Sequence, residues 1–251
     1  MAEQMGNGGT SLLDLFDRVY VINLPARTDR RAEMERQLAR VGLSFDRPEV
    51  VLFEAVRPAD KGEFPTIGTR GCYLSHLGVI EQALASGCET FLMMEDDADF
   101  TQDFNQRMPL IRDGLQGRHW DFFYGWSPGR HDARAPEGNA EIVAIAADHP
   151  VKLAHFLGMR RGAAEQAMPY LQAIAARPYG DPAGGAMHVD GAYGWFRAAH
   201  PELTTLASLY PVAAQRSSRT DIHDLNWYDR IAPLRPVLEG LRRLKYRLRR
   251  V

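Results

Sequence analysis

Apolar residues fall into short blocks separated by stretches of helical periodicity. The run Val19-Tyr20-Val21-Ile22-Asn23-Leu24 is short, β-branched and ended by Pro25, the pattern of a buried parallel strand. A helix is expected next. Thr28 stands at the cap, Asp29 sits in the first turn, and Met34, Leu38 and Val41 recur at helical spacing until Gly42 stops it. Val50-Val51-Leu52-Phe53 predicts a second strand and completes a strand-helix-strand unit. A polar loop from Arg57 to Arg70 leads to a helix expected from about Cys72 to Ala85. The buried-strand pattern Thr90-Phe91-Leu92-Met93-Met94 then runs directly into Glu95-Asp96-Asp97-Ala98-Asp99. The acids therefore lie at a strand's C-terminal end, the edge where open α/β sheets bind ligands.

Further along, Phe104 to Leu115 reads as a helix and Trp120 to Tyr124 as a strand, followed by a loop rich in Pro, Gly and Ala from about Ser127 to Asn139. Glu141 to Ile145 predicts another strand. Arg161 to Ala176 predicts an Ala-rich helix closed by Pro178, and Pro182-Ala183-Gly184-Gly185 a flexible loop. No internal repeat interrupts this alternation, which reads as an α/β chain with a central, mostly parallel sheet flanked by helices.

The 251 residues suffice for one domain with a substantial core, and 45% hydrophobic with 25% charged residues is ordinary for a globular chain. The expected division is a Gly-rich lead-in over 1–14, one domain over 15–229 and a tail over 230–251. The two cysteines, Cys72 and Cys88, lie in apolar stretches, are read as lacking the close-set partners of a structural zinc site, and fit a reducing compartment. No stretch approaches the roughly 20 consecutive apolar residues of a membrane-spanning helix. Met1 to Thr10 has neither the basic nor the apolar region of a secretory signal, so a cytoplasmic location is expected.

Charge is unevenly spread. Residues 230–251 hold eight basic residues against Glu239, a balance of +7 that leaves −9 on the first 229 residues of a chain whose net charge is −2. An acidic body argues against a broad nucleic-acid face. In the tail, Leu234, Val237, Leu238, Leu241, Leu244, Leu248 and Val251 share one helical face while arginines and Lys245 largely fill the rest. Such a helix suits an anionic membrane surface, at about 1 kcal/mol per basic residue. Docking on the acidic body or on a partner protein is the alternative.

Three adjacent carboxylates repel one another unless solvent or a cation compensates. Mg²⁺ and Mn²⁺ take oxygen ligands and bind through one or two carboxylates plus substrate phosphates. If the strand continued, Glu95 and Asp97 would point one way and Asp96 the other. The alternative is a solvated acidic turn.

Four stretches, in order and spaced from about residue 18 to 223, resemble glycosyltransferase family 25, the lipopolysaccharide-biosynthesis and collagen galactosyltransferase-like group. They are Val19 to Leu24 with Arg27 and Asp29-Arg30-Arg31; Gly71-Cys72-Tyr73-Leu74-Ser75-His76; Phe91 to Ala98; and Gln215 with Ser218 to Ile222. The segments around His155 to Ala163 and Met187 to Arg197 depart from that family's pattern. The resemblance implies a GT-A-like fold, a nucleotide-sugar donor, a divalent metal at the acidic motif and inversion at the transferred sugar. The sugar implied is a hexose, galactose or glucose from UDP, and a lipid-borne acceptor would suit a membrane-bound tail.

On this reading Glu95 and Asp97, with His223, hold the metal, and Asn23, Leu24, Arg27, Arg30, Ser75, His76 and Asp96 form the donor site. Asp221 and His223 alternatively begin a C-terminal helix. Asp190 is the candidate base for the acceptor hydroxyl, with Tyr193 and Trp195 to stack on a sugar face. The competing readings are a turn-capping Asn23 with solvated arginines, a satisfied helix pair at Ser75 and His76, and an ordinary polar Asp190. At the level of the whole chain, the alternatives are a metal-dependent nucleotidyltransferase or phosphohydrolase, and a non-catalytic glycan- or nucleotide-binding relative. Neither a P-loop nor a clear histidine-carboxylate metal cluster is legible for the former.

Overall fold

The computed structural model describes residues 11–127 and 141–216. In chain order its strands are β1 (Arg18–Asn23), β2 (Val50–Glu54), β3 (Thr90–Glu95), β4 (Ala98–Phe100), β5 (Phe122–Tyr124), β6 (Ile142–Ile145), β7 (Phe156–Arg160), β8 (Thr205–Ser208) and β9 (Ala213–Gln215). Its helices are α1 (Thr28–Arg40), α2 (Ile67–Ser86), α3 (Phe104–Leu115), α4 (Arg161–Ala175) and α5 (Val189–Ala199). Seven strands form one sheet in the order β2-β1-β3-β7-β5-β8-β6, and β4 pairs with β9 in a separate antiparallel ribbon. Strands β1, β2, β3, β5 and β8 point one way, while β7 and β6 run against their neighbours. The sheet is thus mostly parallel in direction, as expected.

The alternation within each strand explains why helices cover both faces. Tyr20, Ile22, Phe91 and Met93 pack with α2, α4 and α5 on one side. Val19, Val21, Leu92 and Met94 pack with α1 and α3 on the other. Burying these apolar side chains contributes about 1.5–3 kcal/mol apiece.

Several boundaries differ from the sequence reading. Thr28 is the first residue of α1 rather than its cap, and Arg27 takes the cap position without a side-chain capping bond to the helix. Helix α2 begins at Ile67, five residues before the expected start, because the Thr66 hydroxyl caps it by accepting from Thr69 N at 3.0 Å. At Gly71 a Cβ would meet the Val56 carbonyl at 2.7 Å, so the missing side chain lets α2 lie against the loop after β2. Asp190 sits in the first turn of α5, which the sequence does not announce, and β4, β7, β8 and β9 are likewise unannounced. Most of the 1–14 lead-in, the loop after Ser127, Asp221, His223 and the basic tail lie outside the described residues.

Candidate active site

Neighbours β1 and β3 run in register with Ile22 opposite Glu95, so both end at one edge. Strand β3 stops at Glu95, Asp96 and Asp97 form a turn, and β4 starts at Ala98. A turn, not a continued strand, therefore sets these side chains, and the expected alternation does not apply. Asp96 folds back onto β1. Its Oδ2 accepts from Asn23 Nδ2 at 2.7 Å and its Oδ1 from Arg30 Nη1 at 2.7 Å. Burial raises the Asp96 pKa, with Arg30 and Asn23 opposing the rise.

Asp97 is treated differently by its surroundings. Its Oδ2 accepts a long bond from Gln215 Nε2 at 3.5 Å and lies 3.7 Å from Arg30 Nη1. Its Oδ1 is buried with no hydrogen-bond partner. Burial first, and then the charge of Glu95, push the Asp97 carboxyl up to about 7. Leaving such an oxygen unsatisfied costs about 1–3 kcal/mol. Asp99 in β4 is served by Arg216 Nε at 3.0 Å and Gln37 Nε2 at 3.2 Å. Glu95, Asp96, Asp97 and Asp99 are thus crowded together, with Arg30 and Arg216 among them, and such a set of oxygens suits a hard divalent cation. Glu95 and the open Asp97 oxygen fit that ion.

On its other side Glu95 meets α2. Cys72 Sγ and His76 Nε2 approach its Oε1 to 3.8 and 3.5 Å, and His76 Nδ1 lies 3.3 Å from the Tyr193 hydroxyl. Burial alone would raise Glu95, but His76, His155 and Arg30 outweigh it and bring the pKa below its ordinary value. Burial, followed by the charges of Glu95, Asp190 and Asp97, pushes the Cys72 thiol well up and favours its protonated form when no cation is beside it. The expectation that Cys72 lacks a close-set histidine fails, because a helix brings residues four apart onto one face.

One hollow adjoins the acidic edge, and a second shares Asp190 with it. A cavity of about 170 Å³ is lined by Thr69, Cys72, Glu95, Ala154, His155 and Asp190, among others. A wider groove of about 840 Å³ includes Lys152, Tyr170, Trp195 and again Asp190. Asp190 forms part of the wall of both. Its Oδ2 accepts from Leu153 N at 2.9 Å and its Oδ1 from Ala154 N at 3.0 Å. Leu153 has φ +74°, a left-handed conformation that costs a leucine about 1–3 kcal/mol. The Asp190 carboxylate thus holds a strained loop at the junction of the hollows.

The remaining sequence candidates divide. Leu24 is half-buried and its carbonyl closes the turn by accepting from Arg27 N at 2.7 Å. Arg27 binds Asp29 in a bidentate pair at 2.9 Å. Asn23 is buried with its amide spent on Asp96 and on the Arg27 carbonyl, so it positions the acidic turn. Ser75 is fully buried, donating to Gly71 O at 2.6 Å and accepting from Val56 N at 2.8 Å, which makes it a brace rather than a pocket wall. Tyr193 is 1% exposed and cannot offer a ring face to an acceptor, whereas Trp195 is 42% exposed. One side of the Trp195 ring rests on Gly184, where φ is +86° and a Cβ would come within 2.9 Å of it.

Sequence reasoning assigned no site role to Cys72, His155 or Arg216. His155 is buried in the wall of the smaller cavity, with Nε2 3.3 Å from Ala213 O and Nδ1 without a hydrogen-bond partner. For Cys72 the four-residue step to His76 was the available signal; for His155 and Arg216 there was none, since each arrives from a strand pairing distant in sequence.

Comparison with known proteins gives the following. The model of glycosyltransferase family 25 (LPS biosynthesis protein) matches residues 16–138. A probable inactive glycosyltransferase 25 family member 3 of Rattus norvegicus is 31% identical over 127 residues, covering 43% of this chain and 22% of that protein. Procollagen galactosyltransferase 1-B of Xenopus laevis is 27% identical over 127 residues, again covering 43% of this chain and 21% of its own length. The chain therefore spans about a fifth of these relatives. A crystal structure of a glycosyltransferase involved in glycosylating the major capsid of PBCV-1 aligns with a TM-score of 0.40 at 12% identity, over 76% of this chain and 91% of that one.

Proposed function

We propose, from the match of residues 16–138 to the model of glycosyltransferase family 25, that the chain transfers a hexose, galactose or glucose, from a UDP-sugar to a saccharide or glycoconjugate with inversion. The observation that carries this reading is the buried, partnerless Asp97 oxygen beside Glu95 at the C-terminal edge of the sheet. Such an arrangement is unfavourable without a cation and is well matched to Mn²⁺ or Mg²⁺. Glu95 and Asp97, with His223 from beyond the described residues, would hold it. When bound, the ion neutralises charge on a departing nucleoside diphosphate.

The chain's own groups do the rest. Asn23 and Arg30 fix Asp96, and through it the turn that aims Asp97. Asp190 takes the proton from the acceptor hydroxyl at the junction between a donor cavity and an acceptor groove. Trp195 supplies an apolar ring against which a pyranose can lie. The basic tail would bring the protein to the inner face of an anionic membrane, where a glycolipid acceptor would be met.

A second reading has support of its own, because several similar proteins carry the word inactive in their names. In that case the site binds nucleotide or glycan without turnover. Calorimetry with a panel of nucleotide sugars, with and without Mn²⁺, coupled to chromatography over an acceptor panel, separates the two. Mn²⁺-dependent UDP-hexose binding with product formation supports the transferase. Binding of nucleotide or glycan without product over the full panel selects the inactive relative, and no binding of any nucleotide sugar or acceptor refutes both.

A further inference from the structure

We infer that Cys72, His76 and Glu95 form a second cation site, selective for a borderline-soft ion such as Zn²⁺ and separate in ligand chemistry from the oxygen site at Asp97. Their sulfur, nitrogen and oxygen ligand atoms all lie within 4.8 Å of one another, a spacing that one ion can span. Cys72 and His76 stand one turn apart on α2, and Glu95 arrives from the end of β3.

The second observation is the histidine itself. His76 is 1% exposed, and its Nε2 makes no well-formed hydrogen bond, its facing carboxylate oxygen, Glu95 Oε1, lying a long 3.5 Å away. A buried imidazole nitrogen held at that distance is poorly satisfied, and an ion seated between it and Glu95 would bond to both. At the opposite ring position Nδ1 meets the Tyr193 hydroxyl at 3.3 Å. When Nδ1 donates that bond, the Nε2 lone pair faces Cys72 and Glu95, the orientation that metal-binding histidines obtain from a group behind the ring. Three protein ligands of mixed S, N and O character suit tetrahedral Zn²⁺ with a fourth position open, and the cavity lined by Cys72 and Glu95 supplies room for a water there. Mg²⁺ and Mn²⁺, which favour oxygen, have no reason to choose the thiolate.

Glu95 belongs to both sets. A Zn²⁺ ion on Cys72 and His76 therefore draws Glu95 away from a hard ion at Asp97, so the two ions compete. That competition rests on the function proposed above, but binding of the soft ion does not.

Cobalt tests the site directly, because a cysteine thiolate bound to Co²⁺ gives a charge-transfer absorption that oxygen ligands do not. The full chain titrated with Co²⁺ alone should develop that band at one equivalent, and Zn²⁺ should erase it. Cys72→Ser, close in shape and only half-buried, should abolish the band and weaken Zn²⁺ binding on the order of 100-fold. Asp97→Asn should leave the band intact, and Cys88→Ser should do the same. Because Cys72→Ser alters one atom, its near-ultraviolet circular dichroism should match that of the parent. A parent chain without the band, a band that survives Cys72→Ser, or one that vanishes with Asp97→Asn overturns the assignment, whatever the chain's transferase activity proves to be.

Discussion

Replacing Asp97 with asparagine should make the metal-free protein more stable, and the gain should depend on pH. Asp97 is buried, keeps one oxygen unsatisfied, and has its carboxyl pushed from 3.8 up to about 7 by burial and by Glu95. The folded state thus holds the proton more tightly than the unfolded chain does. Stability from this group is fully present below pH 3.8 and is lost as pH rises through about 7. At about 1.4 kcal/mol per pH unit, the span from 3.8 to about 7 sets a ceiling of about 4 kcal/mol on that loss. The substituted asparagine carries no charge at any of these pH values but still buries an amide, so about 2 kcal/mol is the expected gain at pH 8. Urea unfolding in EDTA at pH 4, 6 and 8 measures it. The two proteins should unfold at similar denaturant at pH 4 and diverge steadily toward pH 8. Added Mn²⁺ should then stabilise the parent and leave the variant unchanged. A variant that is less stable at pH 8, or equally displaced at every pH, would refute the electrostatic reasoning.

Other substitutions probe the neighbours. Asp96→Ala removes the acceptor shared by Asn23 and Arg30 and leaves Arg30 with Asp97 at 3.7 Å, so it should cost about 1–3 kcal/mol in urea unfolding even without metal, the opposite sign to Asp97→Asn. Asp190→Asn should lower turnover by about 10²–10⁴-fold while nucleotide-sugar affinity, read by calorimetry, changes little. Unchanged turnover would reduce Asp190 to a clamp on Leu153. Gly71→Ala drives a methyl into the Val56 carbonyl at 2.7 Å and should cost about 1–3 kcal/mol, with loss of the Co²⁺ band as α2 shifts Cys72.

The first half of the fold is legible because its strands are uninterrupted apolar runs and its helices carry clear periodicity. Strand β7 hides because Gly158 interrupts it and Arg161 begins α4 without a connecting residue. Helix α5 carries Gly191 and Gly194, poor helix formers, and is held by the burial of Val189, Ala192, Tyr193 and Phe196 rather than by propensity. The same division holds for the site. Acid residues at a strand end can be read from the sequence. Which of them is spent on Arg30 and which is left open depends on the turn at Asp96 and on Gln215, contributed by β9. Ser75 and Tyr193 fail as pocket residues because pattern alone does not tell which side of a helix faces a cavity.

The ribbon of β4 and β9 gives the acidic edge a mechanical partner. Asp99 lies opposite Ala214, and the Asp97 carbonyl accepts from Arg216 N at 2.7 Å, one residue beyond the ribbon. A shift of Arg216 would be felt at Asp97 through that hydrogen bond. Main-chain bonds, and not the Asp99 side chain alone, therefore tie the position of Arg216 to the turn that carries the open carboxylate.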